Sequence, residues 1–367
     1  MTNEKVIIEL NGTSVQSLNS TQKRRESTID IAKGIVIFLV MIGHLVPFNG
    51  FIFRVIFSFH MPFFFILCGY FTPQNFEGIN LSRYIKKRFM RLMIPSYCWK
   101  FFWVVSGIIT CSGFKDALYT IFFASNTEWF MHTIFEVTVL MLIFSSIMTK
   151  VEKFQINLIV FSSVVVSMAI IFNDYVVNHG YHDPTFLPIK PDTLAVGFSF
   201  AVIGFIIRKY DVVNQFFVIR NDTQLIAAIP FIITLILLAD YNARDSYVNI
   251  CNGYHGKSAL TFYLVAILFS LLVLEISKYL AGRRKTWPIL QMFGRHSMTV
   301  YLVHSTLATV LSRVIFKVWG ISLQVMIDFP LKWIIIYFII YVLVNILIIK
   351  LMGIGEKCII KRNEMKS

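Results

Sequence analysis

Asp30-Ile-Ala-Lys33-Gly-Ile-Val-Ile-Phe-Leu-Val-Met-Ile-Gly-His44 is an apolar run bounded by ionisable groups, and a second apolar run close behind it contains Ser58-Phe-His60-Met-Pro62. A charge or an imidazole at membrane depth is costly, and it persists where it pairs, faces water or does chemistry. Lys33 and His44 are eleven residues apart. In a helix that is roughly three turns, which sets them on nearly the same face about 16 Å apart along the axis. A cation at one end of a stripe and a titratable base at the other outline a route for a long anionic ligand.

Outward from this stretch, composition agrees. The chain has 367 residues, 56% of them hydrophobic, with a mean hydropathy of +0.69. Soluble domains run at about 45–50% apolar. The excess is gathered into runs near 20 residues, the length that spans a bilayer, so the chain reads as an integral membrane protein. The five cysteines (Cys68, Cys98, Cys111, Cys251, Cys358) show no paired spacing, which argues against a disulfide framework or a zinc site. The net charge of +14 suits loops held against an anionic leaflet rather than nucleic acid.

The expected fold is all-α: a polytopic membrane bundle of about ten helices, over 29–48, 51–71, 92–111, 129–148, 155–172, 193–207, 222–239, 258–277, 297–315 and 331–351. Long lipid-exposed runs must satisfy their backbone internally, which selects helices. With a cytoplasmic N-terminus, 25 of the 34 Lys and Arg fall on the inner side and 8 on the outer, with Lys100 inside a helix. That asymmetry places both termini in the cytoplasm. The chain then divides into a flexible cytoplasmic tail (1–28), a transmembrane domain (29–352) and a cytoplasmic C-terminal tail (353–367). Residues 1–28 lack a short apolar core with a small-residue cleavage site, so no cleaved signal peptide is expected.

Several polar groups lie where they need a reason. His44 and His60 fall at similar depth on consecutive helices joined by a short connection. They can share a cavity, with one imidazole as a general base, or each can bond across helices as structural glue; the pair, with Lys33 and Asp30 below it, favours function. Arg88 and Arg91, at i, i+3, suit phosphate or serve as positive-inside anchors. Ser297, Tyr301 and His304 make one polar stripe at i, i+4, i+7. Glu128, Trp129, His132 and Glu136 open the fourth helix, with Lys100 or Arg54 as possible partners of its acids, and Asp192 sits at the outer mouth of the sixth. Gly34, Gly43, Gly69 and Gly204 permit close helix packing. His179-x-x-His182-Asp183 lacks a third ligand, and no metal is expected.

At this point the residues resemble a known family. Asp30-Ile-Ala-Lys33-Gly with His44, then Phe59-His60-Met-Pro62-Phe-Phe-Phe with Gly69-Tyr70, resembles the opening of the acyltransferase 3 family, in particular its branch related to fucose 4-O-acetylases. The pattern of a basic residue, ten residues and His is met by Lys33 and His44, and the cytoplasmic Arg-x-x-Arg by Arg88 and Arg91. Further similarity lies at Trp129-Phe130, at Pro191-Asp192-Thr through Arg208-Lys209, and at Phe293 through His304. The resemblance implies a multi-pass O-acetyltransferase of the bacterial plasma (inner) membrane. It would use cytoplasmic acetyl-CoA to modify a surface polysaccharide, such as an exopolysaccharide or O-antigen, or its lipid-linked precursor.

By this analogy His44 is the catalytic base with His60 beside it, and Lys33, Arg88 and Arg91 bind the donor. Ser297, Tyr301 and His304 are assigned to the donor channel, and Glu128, Trp129 and Asp192 to the acceptor. The implied partners are a glycan or lipid-linked sugar, the bilayer and polysaccharide-assembly proteins. Many relatives carry an appended extracytoplasmic domain; here the acceptor is expected to meet the membrane domain or a partner. Direct transfer and an acetyl-histidine intermediate both remain open. The rival class is a proton-coupled transporter or glycan flippase, against which stands the lack of interrupted helices at matching positions in two halves of the sequence.

Overall fold

The structure, a computed structural model, describes residues 27–107, 111–122, 129–155, 157–180, 190–215, 218–283, 287–304, 335–336 and 338–350. Among these, six stretches are long and apolar enough to cross a bilayer: Phe51–Tyr70, Trp129–Lys153, Leu158–Asn178, Pro191–Lys209, Asp222–Ala243 and Ala259–Gly282. The protein is a helical membrane bundle.

Chain order gives α1 (27–43), α2 (Phe51–Phe57), α3 (His60–Tyr70), α4 (Leu81–Val105), α5 (Phe114–Phe122), α6 (Trp129–Lys153), α7 (Leu158–Asn178) and α8 (Pro191–Lys209). There follow α9 (Val212–Gln215), α10 (Asp222–Ala227), α11 (Ile229–Ala243), a two-stranded hairpin, α12 (Ala259–Gly282), α13 (Pro288–Arg295), α14 (297–304) and α15 (Phe338–Lys350). In the hairpin, β1 (Val248–Asn249) runs antiparallel to β2 (Tyr254–His255). The centre is α3 against α8, with α6, α7 and α12 packed around that pair. Phe63, Phe65, Phe130, Phe200 and Phe262 fill it and are all but inaccessible.

Two crossings are made by reciprocal glycines. A Cβ on Gly69 would lie 1.7 Å from the Ala201 carbonyl oxygen, and one on Gly204 would lie 2.0 Å from that of Ile66. These interlock α3 and α8 backbone to backbone. Gly34 against Leu290 and Gly294 against Asp30 do the same for α1 and α13, at 2.1 and 1.7 Å. Close approach of this kind lets dispersion between backbones replace side-chain packing, which is how helices associate in lipid.

Several boundaries differ from the sequence expectation, each for a local reason. The helix expected at 29–48 stops before His44, with Pro47 and a turn beyond it, because a residue preceding proline is pushed away from the helical region. The helix expected at 51–71 is interrupted at Ser58-Phe59. Pro62 has no N–H to offer the Ser58 carbonyl and its ring crowds it; Phe59 takes φ −146°, and its N–H turns to Ile56 at 3.2 Å. The stretch 222–239 breaks likewise at Ala228, four residues or fewer from Pro230. The helix expected from 92 begins at Leu81, where the Asn80 side chain caps it by accepting from the Arg83 N–H at 2.9 Å. Leu, Lys, Arg and Met then favour helix over its first turns, and Pro95 lies within the helix. The stretch between the helices expected at 92–111 and 129–148 contains α5.

Candidate active site

The early start of α4 makes Arg88 and Arg91 neighbours on one continuous helix. With Lys33 of α1 they line a cleft of about 260 Å³. Its walls also carry Tyr84, Thr138, Ser297 and Cys68, whose Sγ lies 3.4 Å from Thr138 Oγ1. Tyr84 precedes Arg88 by one turn; its hydroxyl accepts from the Arg88 guanidinium at 3.1 Å, and its ring lies 5.2 Å beneath it. Lys33 is paired with Asp30 at 3.0 Å, and Arg295 approaches the same carboxylate at 4.0 Å. The cleft is therefore cationic chiefly through its two arginines, a donor set that suits an anion held bidentately.

At the other end of α1 the histidines meet. His44 occupies the turn that closes α1 and is exposed. Its ring stands edge-on to His304 of α14, with centroids 4.6 Å apart, and to Phe57 at 5.8 Å. Phe57 also meets His60 edge-on at 4.7 Å. Two imidazoles, His44 and His60, thus flank Phe57, and the third, His304, stands against His44. The helix breaks produce this: His60 is the first residue of α3 rather than a mid-helix position. Its Nδ1 donates to the Ile56 carbonyl at 2.8 Å, and His304 Nδ1 donates to the Tyr301 carbonyl. Each bond fixes a proton on Nδ1, so the neutral rings present Nε2 as an acceptor. His60 and His304 are therefore placed as bases or orienting groups; donation to an oxyanion requires their cationic form.

Tyr301 continues the arrangement inward. Its ring lies 5.2 Å from His304 and 4.9 Å from Phe130, which neighbours Trp129 at 5.8 Å. Ser297, Tyr301 and His304 thus run from the cationic cleft to the histidines along α14.

The other expected residues fall elsewhere. Arg54 does not meet the acids of α6: it bonds Asp240 of α11 at 2.6 Å, and Arg244 holds the second carboxylate oxygen at 2.5 Å. His132 faces Tyr97 of α4, with ring centroids 5.7 Å apart. Glu136 keeps a buried carboxylate oxygen with no hydrogen-bond partner among the described residues. Asp192 is fully buried beneath the hairpin, where Gly253, in the left-handed region at φ 68°, approaches its Cβ. Glu128, His182 and Asp183 lie outside the described residues. In the hairpin, the Asn173 side chain donates to the Gly253 carbonyl at 3.1 Å and faces His255 Nε2 at 3.4 Å, while His255 Nδ1 lies 3.6 Å from Asp174. Burial pushes the His255 imidazole below its ordinary value, and the Asp174 carboxylate pulls the other way.

A family model described as an acyltransferase domain matches residues 26–349. The chain belongs to the acyltransferase 3 family. Two curated relatives share the name nodulation protein NolL. One, from Sinorhizobium fredii, is 31% identical over 93 residues, covering 23% of this chain and 25% of its own; the other, from Mesorhizobium japonicum, is 27% identical over 159 residues, covering 40% and 42%. The chain thus spans a quarter to two fifths of the relatives it matches. No solved structure matches. The cationic cleft and the histidine cluster both lie within the matched residues.

Tyr84 and Phe57 were not singled out from sequence. Tyr84 carries a readable signal, its i, i+4 spacing to Arg88. Phe57 carries none, because its position depends on the break at Ser58-Phe59.

Proposed function

We propose that the protein is a membrane O-acetyltransferase that moves an acetyl group from cytoplasmic acetyl-CoA to a hydroxyl of a surface polysaccharide or its lipid-linked precursor, in the bacterial plasma membrane. Ten crossings with both termini cytoplasmic belong to this reading. The observation that carries it is the polarity of α1: Lys33 opens on a cleft shared with Arg88 and Arg91, and His44 closes the same helix against His304. The eleven-residue separation corresponds to about 16 Å in a helix, a length suited to an extended pantetheine arm.

In this reading the coenzyme phosphates rest on Arg88 and Arg91, and the arm follows the Ser297–Tyr301–His304 stripe. The sugar oxygen forms a bond to the thioester carbonyl carbon as the C–S bond breaks. His44, exposed and with a side chain that makes no hydrogen bond to another described residue, takes the hydroxyl proton and passes it to the departing thiolate. His304 orients it by direct ring contact, and His60 acts through Phe57, which touches both. A second reading, a proton-coupled carrier or flippase, draws support from the interrupted helices at Ser58-Phe59 and Ala228.

Purified protein in nanodiscs, given radiolabelled acetyl-CoA and bacterial surface glycans, is expected to label the glycan. Glycan uptake into vesicles without acetyl-CoA, and no label transferred, would establish the carrier instead.

A further inference from the structure

The aromatic contacts that surround the histidines continue past them as a ladder of rings. From His60 the steps are Phe57 at 4.7 Å, Phe53 at 3.7 Å, Phe48 at 5.0 Å, Tyr247 at 5.9 Å and Tyr254 at 5.2 Å. Phe53 is buried, but Phe48 is 71% exposed and the two tyrosines are half-buried. The ladder therefore surfaces between the α1–α2 connection and the hairpin, at the end of α1 opposite the cationic cleft.

Aromatic rings also gather at a bilayer surface, but the neighbours of these rings do not suit acyl chains. Arg244 is 63% exposed in its side chain and Asp245 is 72% exposed. Asp240 is shared by Arg54 and Arg244, and Asp245 is bonded to Lys257 at 2.6 Å. These charges, three cations and two carboxylates, form ion pairs among themselves and leave a wet surface with polar rims.

We propose that Phe48, Tyr247 and Tyr254 form the docking subsite for a sugar ring of the acceptor. The inference rests on the acetyltransferase reading for its name as an acceptor site. The axial C–H bonds of a pyranose carry partial positive charge and lie flat on the negative face of an aromatic ring, while its equatorial hydroxyls reach the surrounding ion pairs. Rings spaced 5.2–5.9 Å apart let a saccharide extend outward while one residue presents its hydroxyl to His44.

The test is saturation-transfer NMR on the full chain in nanodiscs with methyl glycosides of glucose, galactose, fucose and N-acetylglucosamine. Saturation is expected to reach the ring C–H protons of at least one glycoside. It should fall at least fivefold in a Tyr247→Ala, Tyr254→Ala double variant and persist in Tyr247→Phe. Phe48→Ser, at a position too exposed to matter for folding, should also lower it and guards against loss of structure in the double variant. Absence of saturation transfer to all four glycosides, or an undiminished signal in Phe48→Ser and the double variant, overturns the proposal and returns the rings to bilayer anchoring. The acetyl-transfer assay is read separately. Glycoside binding without transfer defeats the acetylation reading and leaves the subsite; transfer that the ladder variants leave untouched, with no saturation signal, does the reverse.

Discussion

His44 owes its usefulness to what it lacks. His60 spends Nδ1 on a carbonyl of α2 and His304 spends its own on a carbonyl of α14, whereas His44 is exposed and meets Phe57 and His304 edge-on. His44→Ala is expected to lower acetyl transfer by about 10²–10⁴-fold, the usual contribution of a general base, with membrane abundance unchanged. Transfer at the wild-type rate would remove His44 from the mechanism. Arg88→Ala is expected to raise the KM for acetyl-CoA with a smaller effect on kcat, and Arg88→Lys to restore part of it, since an ammonium keeps the charge but not the bidentate fork. An unchanged donor KM would reduce Arg88 to an anchor. The side chains of this cleft were legible because they are ionisable residues in apolar surroundings, which a sequence displays directly. Phe57 was not, because an apolar residue in an apolar run carries no mark of the company it keeps. Arg54 was legible as a charge at depth, but its partner Asp240 lies 186 positions away and no local pattern points to it.

Among the helices, the reciprocal glycines give the clearest consequences. Gly69→Ala places a methyl carbon 1.7 Å from the Ala201 oxygen, so α3 and α8 must part. Forcing extra volume into a packed interior costs about 1–3 kcal/mol, read as a lower thermal unfolding midpoint. Gly113→Ala, with open space around it, is the neutral control; equal midpoints for the two variants would refute the interlock. The hairpin gives a second prediction. Protonating His255 sets an N–H of Nε2 against the Asn173 amide that faces it. Its folded pKa is depressed, so its contribution is present above the unfolded value of about 6.5 and is lost as pH falls below it. Hydrogen exchange over 248–255 is expected to quicken as pH drops through this range, after correction for intrinsic rates, and His255→Gln should flatten that response. An identical pH response in both proteins would clear His255 of the role. Element types were readable because long apolar runs in lipid admit one backbone solution. Their ends were not: hydropathy hides the amphipathic first turns of α4, and the breaks in 51–71 and 222–239 follow from prolines whose effect falls up to four residues upstream.

For the molecule entire, the charge asymmetry makes its own prediction. With the native cysteines replaced, Asp245→Cys in the hairpin region is expected to react with an impermeant maleimide added outside intact cells, and Glu77→Cys, before α4, to react only after the membrane is opened. The reverse pattern would invert the assigned orientation and with it the direction from which the donor arrives. The α3–α8 interlock bears on a different matter. Where two backbones touch, their spacing is set by carbonyl oxygens that every sequence shares, and His60 stands at the head of one of those helices. The lipid-facing surface is thereby free to drift, to suit one bilayer thickness or another, without carrying the histidine cluster with it.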